Sequence, residues 1–236
     1  MLATTQDSTY ALGDTSTDIS KVNVYLYIDG SWQPIGYVDR SSQTFRGTTY
    51  YYITSSSLTS LIQTELGLTV PTSDFTLYYS NDSNYKKTTL SNGNYSLGTS
   101  SSQKNVYITA SISNESQLTS GNTFKVYSVK EYNQENVLQS TKYVYTKNGT
   151  ATYQLSSDYN YYVNDSETAT IGGSTINITG PTTLKQTPAE KCAITIKYSN
   201  GTQTTAQVIK GGKYTLDSHL KWKVGDSVDL TDGGTQ

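Results

Sequence analysis

From Lys21 onward, hydrophobic and polar residues alternate in short runs. Val22, Val24, Leu26 and Ile28 share one phase and Asn23, Tyr25 and Tyr27 the other, the pattern of a strand with one buried face. Asp29-Gly30 supplies a turn. Trp32, Ile35, Tyr37 and Val38 continue as the returning strand of a hairpin. One stretch breaks the period of two. Leu58, Leu61, Ile62 and Leu66 recur at i, i+3, i+4 and i+8, which places one apolar stripe on a helix near 56–66. Ser55, Ser56 and Ser57 are its N-cap candidates, Gly67 stands at its C-terminal cap and Pro71 follows. Three further strands are predicted at 75–79, 85–90 and 106–112.

Hydrophobic alternation stops at 114–122 and again at 180–190, where Gly180-Pro181 and Thr187-Pro188 stand. These two segments read as linkers. Residues 1–20 lack periodicity and read as a tail or a loosely attached first strand. The division expected is therefore a module at 21–113, a second at 121–180 and a third at 190–236. The second holds strands at 123–129, 142–145, 152–155, 161–163 and 175–179, with an Asn148-Gly149 hairpin turn. The third holds strands at 194–198 and 205–209 around Asn200-Gly201, then Gly211-Gly212, Tyr214-Thr215-Leu216 and Trp222.

Three resemblances follow from this layout. Hairpin, helix and three strands over 21–113 is the element order of the β-grasp fold. The strand, polar turn, strand and Tyr-x-Leu … Tyr-x-Val return over 121–180 resembles the mucin-binding-protein repeats of Gram-positive surface proteins. The strand, Asn-Gly hairpin, strand, Gly-Gly turn, Tyr214-x-Leu216 and late Trp222 over 191–236 resemble the Listeria–Bacteroides repeat, or internalin B-repeat. That family places a Gly before its Trp, where this chain has Lys221. What the resemblances imply is a mainly β protein built of tandem small β-rich modules, the first β-grasp-like with one helix, in a Gram-positive surface or secreted protein.

Composition sharpens the picture. The chain of 236 residues carries Tyr 22 against Phe 3 and Trp 2, and its hydrophobic content is only 34%. Tyrosine buries its ring and keeps its hydroxyl wet, so the cores are expected to be thin and the surfaces polar and adhesive. A net charge of −2, with 17 basic residues and no basic cluster, points away from nucleic acid. No apolar run approaches the ~18 residues a transmembrane helix needs, so no membrane insertion is expected. Met1-Leu2-Ala3 runs straight into polar Thr4-Thr5-Gln6-Asp7, and Met1 reads as a start placed after a removed leader. Seven Asn-x-Ser/Thr sequons occur, at Asn81, Asn94, Asn114, Asn148, Asn164, Asn177 and Asn200. In so Ser/Thr-rich a chain chance accounts for most of them, and they are not read as glycosylation sites.

Catalytic constellations are sparse. One His and one Cys, His219 and Cys192, cannot build an ordinary transition-metal site. No Gly-x-Ser-x-Gly elbow accompanies His219, and Asp217 is too near it to orient it as a base. Cys192 is either a reactive thiol or a small apolar residue opening a strand, the second being the plainer reading. The carboxylates sit mostly beside Gly, Ser or Asn, at turn positions. Asp226, Asp229 and Asp232 could supply oxygen ligands to calcium but lack EF-hand spacing. Lys21 or Lys125 could enter a Lys–Asn isopeptide cross-link, or be plain solvated lysines. No catalytic residue, metal or cofactor is expected.

Aromatic rings remain as binding candidates. Trp32 beside its hairpin turn, and Tyr159, Tyr161 and Tyr162 with Asn160, are the residues expected to form a ligand platform: rings to stack, an amide to bond hydroxyls. Tyr50-Tyr51-Tyr52, Tyr78-Tyr79 and Trp222 are further candidates, although adjacent rings on a strand point to opposite faces. The function expected is adhesion or ligand binding by an extracellular or cell-surface protein, as a monomer, toward a host protein or mucin. The alternative is a carbohydrate-binding protein that stacks a polysaccharide such as starch on Tyr and Trp.

Overall fold

The computed structural model describes residues 12–81, 84–102, 104–109, 124–211, 214–216, 221–222 and 231–232. His219, Asp217, Asp226, Asp229 and the 114–122 linker lie outside them. In chain order the elements are β1 (Lys21–Ile28), β2 (Ser31–Asp39), β3 (Ser41–Phe45), β4 (Thr48–Thr54), α1 (Ser55–Leu66), a 3-10 turn (Thr72–Asp74), β5 (Thr76–Asn81), β6 (Asn84–Thr88), β7 (Leu90–Ser91), β8 (Asn94–Ser96) and β9 (Lys104–Thr109). There follow β10 (Lys125–Tyr132), β11 (Leu138–Thr146), β12 (Ala151–Gln154), β13 (Tyr159–Val163), β14 (Thr175–Ile178), β15 (Thr182–Pro188), β16 (Lys191–Lys197), β17 (Gln203–Ile209), β18 (Lys221–Trp222) and β19 (Thr231–Asp232). The fold is mainly β.

Two compact units form. The first takes Met1–Val129, Thr141–Thr152 and Asn177–Thr182, the second Lys130–Ser140, Tyr153–Ile176 and Thr183–Gln236. This grouping differs from the three consecutive modules that the alternation suggests, because Phe124 and Val126, read as the opening of the second module, belong to the first unit's core. Phe124 stacks on Tyr145 at 5.2 Å and meets Phe75 edge-on at 6.3 Å.

In the first unit β2, β1, β9, β5 and β6 are neighbours in that order, and Val126 of β10 also pairs with Ile28 of β1; β1 runs parallel to β9 and β10, and the other pairs are antiparallel. A hairpin, a crossover that contains the helix and a central parallel pair make this sheet β-grasp-like. Val22, Val24, Leu26, Val106, Ile108 and Leu77 are fully buried on one face of it. Between Val24↔Gly36 and Tyr25↔Pro34 the register shifts. The extra residue, Ile35, is fully buried, so the bulge adds an apolar side chain to the core.

Helix α1 packs on β2 and β4. Its N-cap is Thr54, whose hydroxyl accepts the Ser57 N–H at 3.1 Å, rather than one of the three serines after it. Gly67 closes the helix with φ 67, a conformation that suits glycine. Leu58, Ile62 and Leu66 are buried, but Leu61 is only half-buried at the flank. There it faces Gly36, where a Cβ would sit 3.1 Å from the Leu61 side chain and where φ is 130. The helix and the bulge therefore share a position that only glycine fills without strain.

A second small sheet, β3-β4-β8-β7, follows from the β2–β3 continuation. Ile53 and Tyr95 are directly paired and buried on its inner face. Of the expected tail, residues 12–20 are attached. Leu12 packs against the core, and Asn23 accepts the Ser16 N–H at 2.8 Å.

In the second unit β13 pairs antiparallel with β15, from Tyr159↔Pro188 to Val163↔Leu184. The segment 180–190, expected as a linker, is thus largely a strand. Its short alternation, with Thr182 and Leu184 buried around exposed Thr183, carries too few apolar residues to stand out in sequence. β16 and β17 form a hairpin, from Lys191↔Ile209 to Lys197↔Gln203.

Candidate functional site

The outward phase of β1 carries Asn23, Tyr25 and Tyr27. Parallel pairing with β9 sets Asn23 opposite Asn105 and Tyr25 opposite Tyr107. The β1–β2 hairpin sets Tyr27 opposite Trp32 and Tyr25 opposite Pro34. Alternation and register together therefore collect rings from three strands on the face away from the core. Tyr25 and Tyr107 stack at 5.1 Å with planes 19° apart. Trp32 meets Tyr107 edge-on at 5.3 Å and Tyr27 at 5.4 Å. Tyr85, on β6, meets Tyr107 edge-on at 5.2 Å. All five are half-buried. Next to them Asn23 donates to the Asn105 side-chain carbonyl at 3.1 Å.

Tyr107 is the hub. Burial pushes its phenol up to about 12, with Tyr85 and Tyr25 adding to the shift. The ring pack thus disfavours the phenolate of Tyr107.

Trp32, expected in the platform, is a member of this cluster. The other expected residues, Tyr159, Asn160, Tyr161 and Tyr162, do not form a common surface. Tyr159 and Tyr161 share one face of β13, with rings 6.4 Å apart at 71°, while Asn160 and Tyr162 take the other. Tyr161 is fully buried, so neither side of its ring can receive a ligand. The Asn160 side-chain carbonyl accepts the Gly172 N–H at 3.1 Å and so holds a turn. Tyr159 alone is exposed. Among the described residues of the second unit the buried hydrophobics are Leu155, Tyr161 and Leu184, while Val137 and Leu138 are exposed, so the Tyr161 ring is itself core.

The residues that sequence reasoning missed are Tyr25, Tyr27, Tyr107 and Tyr85. The signal for the first two was present, in the outward phase of β1. Tyr107 and Tyr85 could be found only through strand pairing.

Two carboxylates elsewhere are engaged in structural bonds. In the second unit, buried Glu131 accepts from the Tyr153 hydroxyl at 2.8 Å and the Ser140 hydroxyl at 2.8 Å. Burial, followed by the bond to Glu131, drives the Tyr153 phenol far upward. In the first unit, Asp74 accepts from Lys147 at 2.9 Å and the Tyr145 hydroxyl at 3.1 Å. The Lys147 bond holds its carboxyl below the ordinary 3.8. This pair borders a shallow groove of about 490 Å³ that also includes Leu68, Val144 and Thr150.

Lys21, a cross-link candidate, makes an ion pair with Asp39. Cys192 is exposed on β16. Among the described residues no three His, Cys, Asp or Glu side chains gather as a metal-binding group, and no helix is long and apolar enough to cross a membrane. Comparison with protein-family models, with curated proteins and with solved structures finds no match to this chain.

Proposed function

We propose that this chain is a non-catalytic binding module of an extracellular or cell-surface protein of Gram-positive type, acting in adhesion. Its contact surface is the aromatic face centred on Tyr107, and its partner is a protein, a host protein or the polypeptide of a mucin. The observation that carries this reading is the set of four ring contacts that join Tyr25, Tyr27, Trp32, Tyr85 and Tyr107. Rings locked by their neighbours lose little further entropy on binding, and Tyr and Trp dominate the energetic centres of protein interfaces. The low charge and tyrosine-rich composition of the chain, and the resemblance of 191–236 to a surface-protein repeat, are in keeping with the same reading.

The alternative, stacking of a polysaccharide on this cluster, asks for rings lying side by side in one plane. Around Tyr107 they stand at 84° and 87° to it, or stack against it. The uneven relief this creates suits protein side chains better than a flat sugar face.

The test is surface plasmon resonance of the full chain over immobilised mucin and extracellular-matrix proteins, each with and without its glycans removed. Binding that survives glycan removal and weakens in Trp32→Ala and Tyr27→Ser, both checked for folding by circular dichroism, supports the proposal. No binding to any surface, or binding indifferent to both substitutions, overturns it.

A further inference from the structure

The small sheet has an outer face of its own. Ile53 and Tyr95 fix the inner side of β4 and β8. Tyr51 shares that side, and its ring is capped by the Arg40 guanidinium at 4.4 Å. Tyr50 and Tyr52 must therefore point the other way, two residues apart on one strand, about 7 Å along it. Direct pairing sets Gln43 beside Tyr50, with Ser41 and Ser96 flanking Tyr52 on either side. At the hairpin end Phe45 stands on the same side and is 59% exposed, and Tyr50 is 44% exposed.

This face differs from the Tyr107 cluster in two respects. Its tyrosines are not packed against one another: no ring contact joins Tyr50 and Tyr52, and each ring is bordered by amide or hydroxyl side chains. It also carries no carboxylate and no ammonium. The one cation nearby, Arg46 at the β3–β4 turn, lies 5.2 Å from the Phe45 ring. A charged ligand would find no partner beside Tyr50 and Tyr52, the Arg46 guanidinium being set against Phe45 at the hairpin end. A ligand with apolar C–H faces and a rim of uncharged hydroxyls would find rings for the first, and groups that both donate and accept for the second.

We infer that the outer face of β3, β4 and β8 is a binding site for a neutral oligosaccharide, stacked along Tyr50 and Tyr52 with its hydroxyls bonded by Gln43, Ser41 and Ser96, and Phe45 at one end. The uncharged partners of Tyr50 and Tyr52, Gln43, Ser41 and Ser96, suit a neutral glycan better than a sulfated or sialylated one. The site is separate from the Tyr107 cluster and does not depend on it.

Isothermal titration of the full chain with maltoheptaose, cellohexaose and chitohexaose, and with a heparin hexasaccharide, tests the inference. At least one neutral oligosaccharide should bind. Tyr50→Ala should weaken it about tenfold, and Tyr50→Phe, which keeps the ring, should restore most of the affinity. Tyr52→Ala should act in the same direction. Should that variant fail to fold, exposed Tyr50 still carries the test. The inference is overturned if no neutral oligosaccharide binds at millimolar concentration, if heparin binds in preference, or if Tyr50→Ala binds as the wild type does. Loss of mucin polypeptide binding in Tyr50→Ala without any free-oligosaccharide binding would also overturn it, and would mark the face as a protein interface. Failure here leaves the Tyr107 surface untouched, because that surface is tested by Trp32 and Tyr27 variants on deglycosylated protein.

Discussion

The Tyr25 ring lies on the Tyr107 ring, centroids 5.1 Å apart and planes 19° from parallel. The two residues are direct partners in the parallel β1–β9 pair, which also joins Asn23 to Asn105 across 82 residues of sequence. The stack therefore reports the central, non-local pairing of the first sheet. A double-mutant cycle of Tyr25→Ala and Tyr107→Ala, read from urea midpoints, should give a coupling of about 0.5–1.5 kcal/mol. Additive effects would show that the rings do not support one another.

Alkaline titration should separate Tyr107 from the exposed tyrosines. Its folded value of about 12 lies above the ordinary 10.0. Between those values the folded state holds a proton that the unfolded state has released, so stability falls as pH rises through that window. Phenolate absorbance should show most tyrosines ionising near their ordinary value and a late fraction near unfolding, with Tyr107→Phe reducing the late fraction.

Asp74 gives the opposite dependence. Its folded value is depressed, chiefly by the Lys147 bond, so its contribution is present above 3.8 and disappears as pH falls through the folded value. Asp74→Asn and Lys147→Met should both lower the urea midpoint at neutral pH. The gap between wild type and Asp74→Asn should close in acid. A gap that persists well below 3.8 would mean that the carboxylate charge is not what matters.

Helix α1 should respond to position rather than to residue type. Ile62 is buried and Leu61 only half-buried, so Ile62→Ala should cost roughly 2–5 kcal/mol and Leu61→Ala clearly less. Thr54→Ala should cost about 0.5–2 kcal/mol through the lost cap. Equal losses at 61 and 62 would show both sides of the stripe to be packed.

Phe124 tests the grouping of the chain. It lies 1% exposed, against Tyr145 and Phe75. Phe124→Ala should therefore cost about 3–5 kcal/mol in the unfolding of the first unit, with loss of hydrogen-exchange protection at Val24 and Ile108. Protection lost only beyond residue 130 would restore a boundary near 121.

What the sequence determined by itself is local. The phase of Val22, Val24, Leu26 and Ile28 states which side of β1 is buried, because side chains alternate along a strand with a period of two. The stripe at 58, 61, 62 and 66 with Gly67 after it states where helix α1 runs, because a helix ends where glycine takes a left-handed conformation. Element order over 21–113 even carried the β-grasp-like topology. Tertiary structure decided the rest, because pairing and burial are non-local. Nothing within 123–129 says that Phe124 fills the first unit's core rather than opening another, and nothing within 180–190 says that a weakly apolar segment pairs with β13. The candidate site shows the same limit most clearly. Tyrosine is amphipathic, so Tyr161 and Tyr107 look alike in sequence. One became core because its side of β13 is buried in the second unit, and the other became a surface hub because β9 lies beside β1.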